Sequence, residues 1–475
     1  MESSEERHQA RPFEAQESDI VSNATVDSAI GYAGVGKFQN FFLVRNTMKR
    51  IVLSLLVIGT LLAGLACERR GGGGGDNETG PIRVGYYGDL SGRTSSFGQS
   101  TKNGVEMAAD EINKAGGING RQIQIMVEDD QGEPNKAATV VSKLVNQDKV
   151  AALLGEVASS NSLAAAPKAQ EAKVPMISPS STNPAVTQVG DYIFRVCFID
   201  PFQGEVMAKF AVNNLKAKRA AILYDFNSDY SRGLEQFFKR SFTQLGGQVV
   251  IEKSYTQGDR DFSPQLTAIR SASADVIYVP GYYGEVGVIA NQTKQLGIKA
   301  PLLGGDGWDA PQLWQLGGEA LNGDYISNHY SVDDPSPAIQ KFVADYKTRY
   351  GLAPDALAAL GYDAMKVLAD AVRRAGTTES TKLRDAVAHT TSFPGVTGAI
   401  TINEERNAVK PAVILKLQSG RFVYETTIYP EGMTPPAAPS PTSGTATASP
   451  TAGTSPAAGA SPRPANTNAA RSPAP

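Results

Sequence analysis

The chain is poor in the residues that build covalent or metal scaffolds. Its 475 residues include two cysteines, Cys67 and Cys197, too few for a disulfide framework or a four-ligand metal cluster. The three histidines, His8, His329 and His389, lie far apart and make no metal-ligand spacing. Charge of neither sign dominates: 45 Lys and Arg stand against 48 Asp and Glu, a formal net charge of −3. No basic excess argues for nucleic acid, and no acidic tail argues for a cationic partner. Gly-x-Ser-x-Gly, His-Glu-x-x-His and a phosphate-binding loop are all missing. No nucleophile–base pair emerges, so no catalytic residue, metal or cofactor is assigned and the chain is not expected to be an enzyme.

What is present is ordinary globular composition, 41% hydrophobic and 20% charged, in a length that suits two or three domains. The amino end reads as an address. Met48-Lys49-Arg50 is a positive n-region, and residues 51–66 form an uncharged run of 16 residues. That run is shorter than the ~20 residues of a spanning helix. It ends in small residues before Cys67, the pattern of a secretory signal at 48–67. A cysteine directly after such a core resembles a bacterial lipoprotein signal, which implies a lipid on Cys67. The competing reading is a short anchor that is never cut. Residues 1–47 are expected to be a non-native or disordered leader ahead of a start at Met48. Residues 68–80 are a Gly-rich linker. Residues 433–475, rich in Pro, Ala, Ser and Thr, cannot bury enough surface to fold and are expected to be disordered.

From Ile82 onward the pattern alternates. Strands are expected at 82–87, 122–128, 150–154 and 174–178, with helices at 99–115, from Pro134 and at 160–172. The alternation restarts after Asp200 with strands at 219–224, 248–252, 275–280 and 301–304 and helices at 230–245, 262–272 and 284–296. Late helices at 336–350 and 355–375 and strands near 398–402 and 411–417 suggest that the chain returns to its first half. The class is α/β, with two Rossmann-like lobes built on parallel sheets.

In open parallel sheets ligands bind beyond the carboxyl ends of the strands. There the polar and aromatic residues collect. Ser159 and Thr182 are placed just before helices, where a hydroxyl and free N–H groups hold a carboxylate; alternatively each is a simple N-cap. Asp306, flanked by glycines, offers a carboxylate to an ammonium, or is a turn residue. No histidine base is suggested near it. Phe97, Tyr230, Tyr282 and Tyr362 can wall an apolar side chain. Ser160, Ser180, Ser181 and Asp200 complete the candidate ligand-binding set. An anion site, a cation site and an aromatic wall together specify an α-amino acid.

Across residues 81–430 the chain resembles the branched-chain amino-acid-binding proteins, the type I periplasmic solute-binding proteins of ABC importers. The resemblance rests on Gly104-Val-Glu-Met-Ala-Ala-Asp-Glu-Ile-Asn113, on Gly116 to Gly120, on Glu128-Asp129-Asp130, on residues 176–184, on Phe262-Ser263 and on Gly281-Tyr-Tyr283. It implies three hinge crossings, near 200, 329 and 401. It also implies one lobe of 81–200 plus 330–400 and another of 201–329 plus 401–430. By the same resemblance Ser159 and Thr182 bind the ligand carboxylate. The backbone of Ser181 meets the ammonium or carboxylate, and Asp306 the ammonium. Tyr230 and Tyr282 occupy aromatic positions, and Phe97 stands where a tryptophan is common. Cys197 lacks its usual disulfide partner and is an inert thiol. The implied function is a monomeric, lipid-anchored periplasmic or cell-surface lipoprotein that hands an amino acid to a permease and ATPase. A sensor or receptor for an amide, urea or an aromatic acid is the alternative.

Overall fold

The computed structural model describes residues 80–433. The leader, the signal with Cys67, nearly all of the linker and the tail beyond Met433 lie outside the described residues. Strands β1 (Ile82–Gly88), β2 (Ile123–Asp129), β3 (Ala152–Leu154), β4 (Met176–Ser178) and β5 (Ile193–Arg195) form one sheet, ordered β2-β1-β3-β4-β5 and parallel throughout. The central strands β3 and β4 are buried at every position, as a parallel strand covered on both faces must be. This sheet carries the first lobe.

The second lobe is built on a mixed sheet. Strands β6 (Arg219–Asp225), β7 (Gln248–Tyr255), β8 (Val276–Tyr278), β9 (Leu302–Gly304) and β10 (Tyr325–Asn328) are parallel. Strands β13 (Ala412–Gln418) and β14 (Arg421–Ile428) extend it antiparallel, giving the order β14-β13-β10-β9-β8-β6-β7. The sequence suggested a parallel sheet only. The two-residue loop Ser419-Gly420, with φ of 51° and 77°, is the left-handed turn that closes a tight hairpin, and a hairpin is antiparallel by construction. The segment expected as a strand near 398–402 instead pairs locally: β11 (Phe393–Gly395) and β12 (Gly398–Ile400) make a separate two-stranded ribbon.

Helix α1 (Ser95–Lys114) packs on the late helix α11 (Ala356–Ala375), so the chain does come back to the first sheet. Two glycines permit the close approach. A Cβ on Gly104 would strike the carbonyl of Ala358, and one on Gly361 the carbonyl of Thr101. The chain passes between the lobes three times, at 196–199, 329–336 and 401–411.

Several elements had no readable signal. Helix α5 (Asp200–Asn213) is buried on several sides, with Gln203, Val206, Met207, Ala208 and Phe210 all inaccessible. A helix enclosed that way loses the one-faced stripe that marks amphipathic helices. Strands β5 and β10 are three and four residues long and end in Arg195 and in Ser327-Asn328, which interrupt the apolar run by which a short buried strand is read.

Candidate functional site

The two sheets turn the carboxyl ends of their strands toward one small cavity of about 10 Å³. A space that size holds one water at most: in this arrangement the lining side chains fill the cleft themselves. The first lobe contributes Phe97, Val157, Ser180 and Leu357; the second contributes Tyr230, Tyr282, Asp306 and Gly307. Phe97, on the first turns of α1, meets Tyr282 edge to face with ring centroids 5.5 Å apart. Tyr282 in turn stacks on Tyr230 at 5.2 Å. Five of the residues expected from sequence therefore converge: Phe97, Ser180, Tyr230, Tyr282 and Asp306.

Asp306 begins the single helical turn Asp306–Trp308 that follows β9. Its Oδ1 accepts from Gln203 Nε2 and from the Tyr230 hydroxyl, each at 2.8 Å. Its Oδ2 meets His329 Nε2 at 3.0 Å and the Ser180 hydroxyl at 3.5 Å. Burial works against charge on Asp306, but the hydrogen bond from His329, the charge of that ring when protonated, and the hydrogen bonds from Gln203 and Tyr230 outweigh it and hold the carboxyl below its usual value. Burial also keeps the His329 imidazole below 6.5, despite the pull of Asp306. The pair is thus a carboxylate facing a neutral ring. A carboxylate only accepts, so Nε2 carries the ring proton.

The sequence suggested no histidine near Asp306, and the structure overturns that. His329 lies 23 residues downstream, directly after β10, a strand not anticipated from the sequence. The arrangement is still not that of a hydrolase. The carboxylate stands between the Ser180 hydroxyl and the imidazole, so the Ser–His contact of a catalytic triad is not made here. Among the described residues no group of three His, Cys, Asp or Glu side chains could hold a metal.

On the first lobe, α3 (Ser159–Ala172) starts at Ser159 itself, with Ala158 as N-cap. The N–H of Ala158 is bound by the Glu156 carboxyl. Among the described residues no acceptor meets the N–H of Ser159 or Ser160, so two orphan donors remain at a helix amino end. The Thr182 hydroxyl is fully buried and also unpartnered. Ser159 and Thr182 flank the lining residues but do not line the cavity; Ser159 Oγ accepts from Asn183 N–H at 3.3 Å. The helix expected after Thr182 is one turn, Ala185–Gln188, too short to carry a useful dipole.

The remaining expected side chains are engaged or directed away from the cavity. Ser160 faces the opposite lobe: its Oγ donates to Asp229 Oδ2 at 2.8 Å and accepts from Asp229 N–H at 3.1 Å. The backbone of Ser181 is engaged, its N–H by Ser178 Oγ at 2.8 Å and its carbonyl by the Arg195 guanidinium. Asp200, at the first crossing, is buried with both carboxyl oxygens unpartnered. Oδ2 faces Gly233 of α6 (Asp229–Gln244), not the cavity. Thr182 stands close enough to favour its charge without an aligned hydrogen bond, but burial dominates and pushes the carboxyl up to about 8. Tyr362 points away altogether. Its hydroxyl donates to Glu111 at 2.7 Å and its ring packs on Phe342. Leu357, five residues earlier on α11, supplies the cavity wall in its place. Val157, Leu357, Gln203 and His329 were not anticipated. Cys197 is free and buried, its thiol raised to about 12 by burial.

A larger open groove of about 620 Å³ runs beside the second crossing, past Trp314, Tyr330 and Phe422. Its polar groups largely pair with one another, Asn328 with Asp309 at 2.8 Å and Arg421 with Asp333 at 3.3 Å. The small cavity, with a charged group and free donors near it, is the better candidate.

Comparison with known proteins identifies the family and the fold. The periplasmic binding protein family profile matches residues 81–421. The Leu/Ile/Val-binding protein BraC3 of Rhizobium johnstonii is 32% identical over 345 residues, 72% of this chain and 93% of that protein. A leucine-binding protein from Thermotoga maritima superposes with a TM-score of 0.71 at 42% identity, over 74% of this chain and all of the other. A branched-chain amino acid transporter substrate-binding protein from Streptococcus pneumoniae, solved with isoleucine, gives 0.70 at 34% identity, again over 74% of this chain and all of the other. The chain is a solute-binding protein with the type I fold, and it belongs to the periplasmic binding protein family, among the branched-chain amino-acid-binding proteins.

Proposed function

We propose that this protein captures an amino acid, of the branched-chain type first, between its lobes and delivers it to the permease of an ABC importer. One observation carries the reading. Asp306, an ionised carboxylate from the second lobe, faces Ser180 of the first across a small aromatic-walled cavity. The Ser180 contact is the longest of the four to Asp306, and it is the one that a ligand ammonium would replace. The orphan N–H groups of Ser159 and Ser160 and the Thr182 hydroxyl would take the carboxylate. Phe97, Tyr282 and Leu357 would enclose an aliphatic side chain. The isoleucine held by the Streptococcus relative supports this choice.

Residues 81–200 with 330–400, and 201–329 with 401–430, would move as two bodies about the three crossings. Only the closed arrangement presents both halves of the site, so solute would stabilise closure. A lipid on Cys67 would hold the protein outside the cytoplasm as a monomer. Calorimetry with leucine, isoleucine and valine, set against acetamide, urea and benzoate, tests the proposal. Heat only with the amino acids is expected. Binding of benzoate or urea but of no amino acid would reject it.

A further inference from the structure

Two of the three crossings meet at one side chain, and the third places a buried charge near enough for that side chain to feel it. His329 lies at the start of the second crossing, with its imidazole fully buried. Its ring stacks on Phe198 of the first crossing, centroids 3.8 Å apart and planes 22° from parallel. Lys410 of the third crossing is also fully buried and acts on the ring electrostatically. On its remaining edge Nε2 reaches Asp306 Oδ2 at 3.0 Å. Nδ1 is buried and has no partner. The other Asp306 oxygen is fixed by Gln203, whose Nε2 is also 3.1 Å from Ser327 on the strand leading into His329.

We propose that His329 is the positioning residue of the solute site: it holds Asp306 from the hinge and makes solute capture sensitive to pH. The inference rests on the amino-acid reading above. The neutral ring donates one hydrogen bond and leaves the carboxylate its full charge for an ammonium. Protonation at Nδ1 turns the ring into a buried cation already paired with Asp306, and the solute ammonium then competes with it. Two ionisable groups act on the ring: Asp306, from the turn after β9, touches it, and Lys410, from the third crossing, acts through its charge while its ammonium is bound to Thr397; the first crossing presents the Phe198 ring. Lys410 opposes a second positive charge. Burial acts in the same direction, so the neutral ring is the form at pH 7. Solute and proton exclude one another, and affinity falls as pH drops below the ordinary histidine range while Asp306 itself stays ionised.

Calorimetry with leucine on the purified chain reads the first arm. Between about pH 7.5 and about pH 5 the native protein weakens about tenfold, the change that one unit of displacement in the His329 titration produces. His329→Gln still donates from its side-chain nitrogen and does not titrate. It keeps affinity at the higher pH within about threefold and loses the pH slope. A purely structural residue would leave the slope untouched, so equal slopes in the two proteins overturn the inference. The second arm needs no solute. Nitrogen-15 spectra, with His329 identified by its loss in His329→Gln, show the Nε2–H form, and Asp306→Asn moves its protonation midpoint down. An Nδ1–H ring, or a midpoint indifferent to Asp306→Asn, overturns the inference whatever the solute. If no amino acid binds while the ring behaves as stated, the solute assignment falls and the placement of His329 stands.

Discussion

Ser180 Oγ and Asp306 Oδ2 stand 3.5 Å apart, one from each lobe, while the other three partners of Asp306 lie at 2.8 to 3.0 Å. A hydrogen bond that long is weak, so the lobes give up little when a ligand separates the pair. Removing the carboxylate is different. Asp306→Ala should weaken amino-acid binding by about 2–5 kcal/mol, the cost of leaving a buried ammonium unpaired. Ser180→Ala should cost no more than ~1.5 kcal/mol. Calorimetry measures both, and equal losses would contradict the assignment.

Ser160 and Asp229 tie the closed lobes together without touching the cavity. Ser160→Ala removes both of their hydrogen bonds and should shift the solute-free protein toward the open form. Small-angle scattering should show a larger radius of gyration. Affinity should drop by about 1 kcal/mol. Unchanged scattering and affinity would mean that this contact does not hold closure.

Leu357 walls the cavity from α11, so its size should set side-chain selectivity. Leu357→Ala should weaken leucine by about 1–3 kcal/mol, on the scale of lost methylenes in an apolar pocket, and improve phenylalanine relative to it. A parallel loss for both ligands would place Leu357 outside the side-chain pocket.

Tyr362 gives the opposite expectation. Its hydroxyl serves Glu111 on the outer side of α1, so Tyr362→Phe should leave solute affinity unchanged. It should lower stability by about 1 kcal/mol in denaturant titration. A change in affinity would return Tyr362 to the site.

Asp200 should make the solute-free protein less stable in mild base. Burial lifts its folded-state value to about 8 from an ordinary 3.8. A carboxyl raised on folding binds its proton more tightly in the native state between those two values. Stability from this group is therefore greatest in acid and falls as pH rises toward about 8. Asp200→Asn removes the titration. Its melting temperature should exceed the native one by ~2 °C or more near pH 8, with the advantage gone near pH 4. A constant offset at both pH values would show that Asp200 does not titrate in this window.

The regular part of the fold was legible because it is local. Ile123, Ile125 and Val127 alternate, Val105, Ala108, Ala109 and Ile112 share a helix face, and Gly116-Gly117 end that helix. An enclosed helix carries no such period, and α5 escaped for that reason; β5 and β10 end in Arg195 and in Ser327-Asn328, which break the short apolar run that gave away the equally short β3, β8 and β9. The site divided the same way. Phe97, Ser180, Tyr230, Tyr282 and Asp306 follow strand ends, which a parallel sheet gathers at one edge, and they meet. Tyr362 failed because a helix presents different faces a few residues apart. Leu357 faces the cavity and Tyr362 faces Glu111.

The sequence by itself determined the alternation of strands and helices, the family resemblance and the chemical types available at the cleft edge. Those are properties of neighbouring residues and of their order. Only the tertiary structure decided that His329 and Gln203 grip Asp306 and that Ser160 serves the opposite lobe. These contacts join residues 23 to 103 positions apart. Their geometry depends on how two sheets and three crossings pack, and no local pattern encodes it.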